Sequence, residues 1–204
     1  MENISSKTTN GVHSMRDVYE YCPEFENDKY LLRLISAEDT NDLLKVYSDA
    51  SAVPFFNGDN CDGDNFHYKT LVRMKQAVDF WLFSYNERYF VRWTIIDKET
   101  MEAVGTIELF HREADEHFYE CGLLRLDLRS DYEDAGQIAD IISLIKDNAY
   151  DLFHCNIIAS KAVPEAKERL KALQGLGFVA SDKIIVGQDG TKYGDYYILR
   201  KSLE

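Results

Sequence analysis

Two stretches of this chain combine residue types that can do chemistry. Glu133-Asp134-Ala135-Gly136-Gln137-Ile138 stands just before a run of isoleucines at helical spacing. A helix start presents unpaired backbone N–H groups and the positive end of the helix dipole, which suit an anion. Gly136 lets the anion's oxygens approach the main chain closely. The other stretch runs from Phe55 to Asn65 and holds Asp59, Asp62 and Asp64 among glycines and asparagines, which invites a calcium reading. Placing Gly63 at the turn of an EF-hand loop puts Gly58 first and Lys69 where a bidentate glutamate belongs, so that reading fails. His111 and His117 flank a predicted turn, but no third ligand follows at metal spacing, and no metal site is expected. No local motif marks a Ser-His-Asp or Cys-His nucleophile.

The elements that must position these residues follow from periodicity. Tyr30 to Ile35 reads as a strand, and Ser36 with Asp39 as a capping box before a helix carrying Leu43, Leu44 and Tyr47. Leu71, Met74, Val78, Trp81, Leu82 and Tyr85 keep a 3.6-residue period near 69–85. Strands are expected at 90–97, 103–111 and about 118–128. Ile138, Ile141, Ile142, Ile145 and Ala149 mark the next helix. A strand at 156–160 precedes a helix with Pro164 in its first turn and Leu170 and Leu173 on its apolar face. Strands near 178–186 and 193–199 close the order β-α-α-β-β-β-α-β-α-β-β, a mixed α/β sheet. Residues 1–28 read as a polar N-terminal extension that lies across the domain, and 29–204 as that domain.

Composition excludes several classes. Lys plus Arg is 23 against 36 Asp plus Glu in 204 residues, a net charge of −13. Such a surface repels phosphate backbones and anionic lipid, so neither a nucleic-acid nor a membrane partner is expected, and a cationic one is the natural complement. The four cysteines are scattered and read as reduced thiols. No signal peptide is expected in the first fifteen residues and no apolar run reaches the roughly 20 residues of a membrane span, so the expected location is the cytoplasm.

The element order, with these local sequences, resembles the GNAT superfamily of acyl-CoA-dependent N-acetyltransferases, in its RimJ/RimL-like branch. The resemblance rests on Leu126-Asp127-Leu128 ending a strand before the Glu133–Ile138 loop, on Leu176-Gly177-Phe178 closing the last helix, and on Gly194-Asp195-Tyr196-Tyr197-Ile198-Leu199 as the final strand. It implies a GNAT fold, with a mixed, mostly antiparallel central sheet and helices on both faces. It also implies acetyl-CoA as co-substrate, with direct transfer to an amine of a small molecule or protein N-terminus. By position, Leu126, Asp127 and Leu128 would lie along the pantetheine arm, and Asp134, Ala135, Gly136, Gln137 and Ile138 would hold the diphosphate. A homodimer is left open.

The chain also departs from that family's pattern. Only Gly136 of the loop's key positions is kept; Glu133 replaces the usual Arg or Gln, Asp134 a frequent Gly, and Ile138 a Gly or Ala. With Asp131, three carboxylates crowd the expected diphosphate site. Lys167 stands where the family has an Asn and could pair with a phosphate, or be a solvated helix lysine. Leu173 stands where the family has its acid Tyr, so Tyr193, Tyr196 and Tyr197 are candidates, with Tyr196 the chosen one. Aminolysis of a thioester needs a neutral amine, and a carboxylate base assists it. The family's Glu position holds Gly122; Glu120, two residues earlier and on the same strand face, and Glu108 on the neighbouring strand are the candidate bases. The 55–65 loop reads as an acidic lip that recruits the amine, with Phe55 and Phe56 lining its pocket, or as a solvated turn over core phenylalanines. The alternative to an enzyme is a GNAT-fold module that has lost catalysis and serves in binding or regulation.

Overall fold

A computed structural model of the chain describes residues 17–113 and 118–202. Among these residues four α-helices and ten strands follow one another as β1 (Phe25–Glu26), β2 (Tyr30–Leu34), α1 (Thr40–Tyr47), α2 (Leu71–Asn86), β3 (Val91–Asp97), β4 (Ala103–Arg112), β5 (Cys121–Leu128), α3 (Ala135–Leu152), β6 (Ile157–Lys161), α4 (Lys167–Gly175), β7 (Val179–Ala180), β8 (Ile185–Val186), β9 (Lys192–Tyr193) and β10 (Tyr196–Arg200). Eight strands form one sheet in the order β1-β2-β3-β4-β5-β6-β10-β7, while β8 and β9 pair separately. Every pairing is antiparallel except β5 with β6. That parallel pair needs a crossover, which α3 supplies. The expected mixed, mostly antiparallel sheet with helices on both faces is therefore the observed one.

The isoleucine stripe of α3 does what its spacing predicts. Ile138, Ile141, Ile142 and Ile145 bury against Leu124, Leu126 and Leu128 of β5 and Trp93 and Ile107 of the neighbouring strands. On the opposite face α1 and α2 pack Leu43, Val46, Tyr47, Met74, Val78 and Trp81 into a second core. Ser36 and Asp39 form the expected capping box, and Asp39 also takes Arg33 and Thr94. Residues 17–28 lie on the sheet: Val18 is in the main core, Trp93 Nε1 donates to the Pro23 carbonyl, and β1 extends the sheet beside β2.

Four local readings need correction. β5 begins at Cys121, because Phe118 to Glu120 form a turn in which Glu120 has φ +52°, a left-handed conformation that a strand cannot hold. The strand expected at 178–186 is two short pieces, β7 and β8, and the one at 193–199 is interrupted before β10, where Asp195 has φ +62°. Pro164 lies in a turn ahead of α4, which starts only at Lys167. Gly177 follows the helix at φ +90°, the conformation that suits a glycine closing a helix. Among the described residues no helix is long and apolar enough to cross a membrane.

Candidate active site

Strand register lays a row of charge across the middle of the sheet. Arg92 of β3 pairs with Glu108 of β4, and Glu108 with Arg125 of β5; two residues along, Thr94, Thr106 and Asp127 form the next row on the same face. Alternation turns these side chains away from α3 and toward α1 and α2. Arg92 is 1% exposed. It grips Glu108 through Nε and Nη2 and reaches Tyr47 Oη at 2.9 Å, Thr106 Oγ1 at 3.0 Å and Asp127 Oδ2 at 3.2 Å through Nη1. Arg125 Nη1 holds the other Glu108 oxygen at 3.0 Å. The Arg92 guanidinium also lies 4.1 Å from the Trp81 ring centroid. Burial alone pulls the Arg92 pKa down, but Glu108, Tyr47 and Asp127 outweigh it and hold the group above its usual value. Such a row is stable only because the two cations and two carboxylates balance. Arg125 Nε and Asp127 Oδ1 are buried with no hydrogen-bond partner among the described residues, the sort of orphan atoms that ligand sites leave.

Above this row lies a cavity of about 400 Å³. Its walls are aromatic, with Phe66, Tyr68, Phe80, Trp81, Phe90 and Phe110, while Asn60, Asp62 and Asp64 stand at its acidic side. Phe55 and Phe56 do not line it; Phe56 packs on Tyr47 instead, with ring centroids 5.3 Å apart. Gly58 closes the loop, since a Cβ there would lie 2.7 Å from the Asp64 carbonyl oxygen. Asp64 receives Arg73 and Tyr68, whereas Asp62 is exposed. Cys61 also lines the cavity, and burial pushes its thiol pKa up.

The second feature is the gap between β5 and β6. Their pairing runs from Cys121 with Ile157 to Leu124 with Ser160 and ends there. Arg169 of α4, 4% exposed, occupies the gap. Its Nη1 donates to the Leu126 carbonyl at 2.6 Å and the Phe55 carbonyl at 2.9 Å, and its Nε and Nη2 hold the Glu133 carboxylate. The start of α3 is engaged as well. Asp134 caps it by accepting from Gly136 N at 2.9 Å and Gln137 N at 3.2 Å, and Glu168 accepts from Ala135 N at 3.1 Å. These donors already take anionic oxygens, so their chemistry fits the diphosphate of the acetyl-CoA that the resemblance implies. The oxygens on them belong to the chain's own carboxylates.

The 55–65 loop also spans the gap. Arg125 Nη2 donates to the Asp59 carbonyl at 2.8 Å, and Lys161 at the end of β6 reaches both Asp59 carboxylate oxygens at 2.7 Å. Tyr196 Oη donates to Asp59 Oδ2 at 3.0 Å and accepts from Asn57 Nδ2 at 3.3 Å. Burial, then the Asp59 charge, raises the Tyr196 pKa above the ordinary tyrosine value.

Glu108 and Tyr196 are thus both connected to Arg125, one directly and one through Asp59. Glu120 is not among them: it sits in the turn at the opposite end of β5 from Leu128. The Gly122 face is also closed, since a Cβ there would meet Cys155 Sγ at 2.9 Å. Asp127 turns its side chain to Tyr47 and Arg92, its own main chain pairs with Thr106, and Leu128 pairs with Gly105. Ile138 is core, and the Lys167 side chain is exposed, while its neighbours Glu168 and Arg169 reach the α3 start. Of the His111–His117 pair, His117 lies outside the described residues, and His111 Nδ1 is 2.7 Å from the Phe153 carbonyl. Among the described residues no cluster could hold a metal. Sequence reasoning missed Arg92, Arg125 and Arg169, and it read Asp59 only as part of the acidic lip and not as the partner of Lys161 and Tyr196. For the first two a signal existed, an arginine inside the apolar runs Val91-Arg92-Trp93 and Leu124-Arg125-Leu126. Asp134 directly before a helical stripe was a legible N-cap.

The family model for the acetyltransferase (GNAT) domain matches residues 29–179. The fold is similar to that of the ribosomal-protein-S5-alanine acetyltransferase from Vibrio fischeri, with a TM-score of 0.62 and 17% identity, covering 86% of this chain and 94% of that one. It is likewise similar to RimL, a ribosomal L7/L12 α-N-protein acetyltransferase solved with coenzyme A, at a TM-score of 0.64 and 10% identity, covering 87% and 98%. The microcin C7 self-immunity acetyltransferase MccE, solved with acetyl-CoA and AMP, gives 0.64 at 11% identity, covering 86% and 94%. No curated protein matches the chain by sequence.

Proposed function

Because the chain belongs to the GNAT acetyltransferase family and is an N-acetyltransferase by that membership, we propose that it transfers the acetyl group of acetyl-CoA directly to an amine held in the aromatic cavity. The observation that carries this reading is the position of the cavity: its floor is the Arg92–Glu108–Arg125 row, and Arg125 also joins the loop that spans the β5–β6 gap. Acetyl-CoA would supply an activated thioester when bound, and the Leu126 main chain at the gap and the Ala135, Gly136 and Gln137 N–H groups at the α3 start would hold it in place of the side chains now on them. An ammonium is attracted by Asp62 and Asp64 and by the net charge of −13, and the aromatic walls take an apolar body.

Glu108 is the base of this reading. Both its oxygens bind arginines, so accepting a proton from the amine at Oε1 or Oε2 requires one of those bonds to loosen. Tyr196 Oη holds a proton that burial keeps in place, available to the leaving group. A covalent intermediate on Cys61 is disfavoured, because burial keeps that thiol protonated at neutral pH. Acceptors compatible with this site are small cationic amines and protein N-termini.

The test is release of the CoA thiol from acetyl-CoA with a panel of polyamines, amino-acid amides and N-terminal peptides, beside calorimetry with acetyl-CoA alone. The expectation is cofactor binding and turnover with cationic amines. No binding at millimolar acetyl-CoA would overturn the reading and leave a GNAT-fold binding or regulatory protein.

A further inference from the structure

The Glu133–Arg169 pair has an arrangement that simple stabilisation does not require. Arg169 is buried in the gap between β5 and β6, where it covers the Leu126 carbonyl, and its partner Glu133 belongs to the loop that opens α3. Glu168, the residue before Arg169, lays its carboxylate on Ala135 N–H. Two adjacent residues of α4 thus treat the α3 start oppositely, one supplying an anion to its first N–H and the other a cation to its acidic loop. Both side chains of the pair are nearly dry, at 5% and 9% exposure, so separating them without a replacement partner is costly. A ligand carrying several anionic oxygens is such a replacement, because a guanidinium binds phosphate with the same fork that it offers a carboxylate.

We infer that Arg169 is a cofactor-binding residue held shut by Glu133, and that acetyl-CoA enters by exchange: Arg169 leaves Glu133 for a phosphate oxygen, frees the Leu126 carbonyl, and Glu168 withdraws from the α3 start. This inference rests on the reading that the chain uses acetyl-CoA. It gives Glu133, Asp134 and Glu168 a role, since their carboxylates occupy Arg169 and the Ala135, Gly136 and Gln137 N–H groups until the cofactor displaces them. It also gives the loop's missing cation a source, because Arg169 comes from α4 and not from position 133. The exchange is non-covalent and moves no proton.

Calorimetric titration of the full chain with CoA tests it, using wild type, Glu133→Gln and the double variant Glu133→Gln, Arg169→Gln. Glu133→Gln should bind CoA roughly tenfold tighter, the factor that about 1.4 kcal/mol of relieved competition provides. The double variant should lose that gain, because the cation that receives the phosphate is gone. Unchanged affinity in Glu133→Gln, or a double variant as tight as the single one, would overturn the exchange. Should Glu133→Gln fail to fold, Glu168→Gln decides: Glu168 is exposed, and its loss should tighten CoA by about threefold through the helix-start charge, with no change counting against the exchange. CoA binding of equal strength in every variant would sink the exchange alone, whereas no binding in any of them would sink the acetyl-CoA reading with it.

Discussion

Glu108 is held between Arg92 and Arg125, its direct neighbours on the strands to either side, so one carboxylate joins β3, β4 and β5 through side chains as well as through the backbone ladder. The same residue is both the sheet's central anion and the floor of the cavity. Glu108→Ala would leave two buried guanidinium groups with Asp127 as their nearby carboxylate. The expected loss is about 3–5 kcal/mol of stability, read as a lower urea midpoint at unchanged slope.

Tyr196→Phe removes a hydroxyl that bonds Asp59 and Asn57. Under the proposed reaction kcat falls by roughly 100-fold, with KM little altered. The pKa of Tyr196 is raised in the fold, so its proton is retained below pH 10 and lost only as pH climbs through the folded value. Its contribution to stability is therefore complete below pH 10 and declines above it. A kcat limb at pH 8 that vanishes in Tyr196→Phe would contradict the raised pKa, and a Tyr196→Phe kcat equal to wild type would contradict the acid role.

Asp62 is exposed at the acidic side of the cavity with φ +51°, a conformation that asparagine tolerates. Asp62→Asn should raise KM for a cationic acceptor by about threefold at low salt and by less at 0.5 M, leaving kcat unchanged. Equal effects on a neutral and a cationic acceptor would remove the electrostatic explanation.

Cys61 reports on occupancy of the cavity. Burial raises its pKa above that of a free thiol, so alkylation by iodoacetamide should be slow at pH 7 and accelerate above pH 9. Cys22, pushed up to about 12, reacts later, and Cys121 and Cys155 are buried. A bound acceptor should protect Cys61, as read by mass spectrometry of the labelled peptide; labelling at the same rate with a saturating acceptor would place the amine elsewhere.

How far the sequence could be read depended on range. The isoleucine stripe of α3 and the apolar period of α2 are local patterns, and both helices lie where those patterns predict. Leu176-Gly177-Phe178 was legible for the same reason, since the closing glycine is a one-residue backbone requirement. The strand placement of Glu120 failed because the apolar pattern of β5 does not encode where the preceding turn ends, and the left-handed conformation of Glu120 holds the start of the strand back to Cys121. Arg169 could not be foreseen at all: its partners are Phe55, Leu126 and Glu133, each brought to it by separate elements. Glu133 looked like a defect beside a diphosphate when read alone, and only the fold supplies the cation that balances it.

The order of the sheet has a consequence for how the molecule is assembled. Strands β1 to β5 are neighbours in the order in which they leave the ribosome, whereas β6 meets β5 along a parallel seam of four residue pairs, after the whole of α3 has intervened. Such distant, short pairing is slow to close. The seam is then a late and short join, and amide exchange on the edges that β5 and β6 turn to each other should report its opening before the β2 to β5 antiparallel half yields.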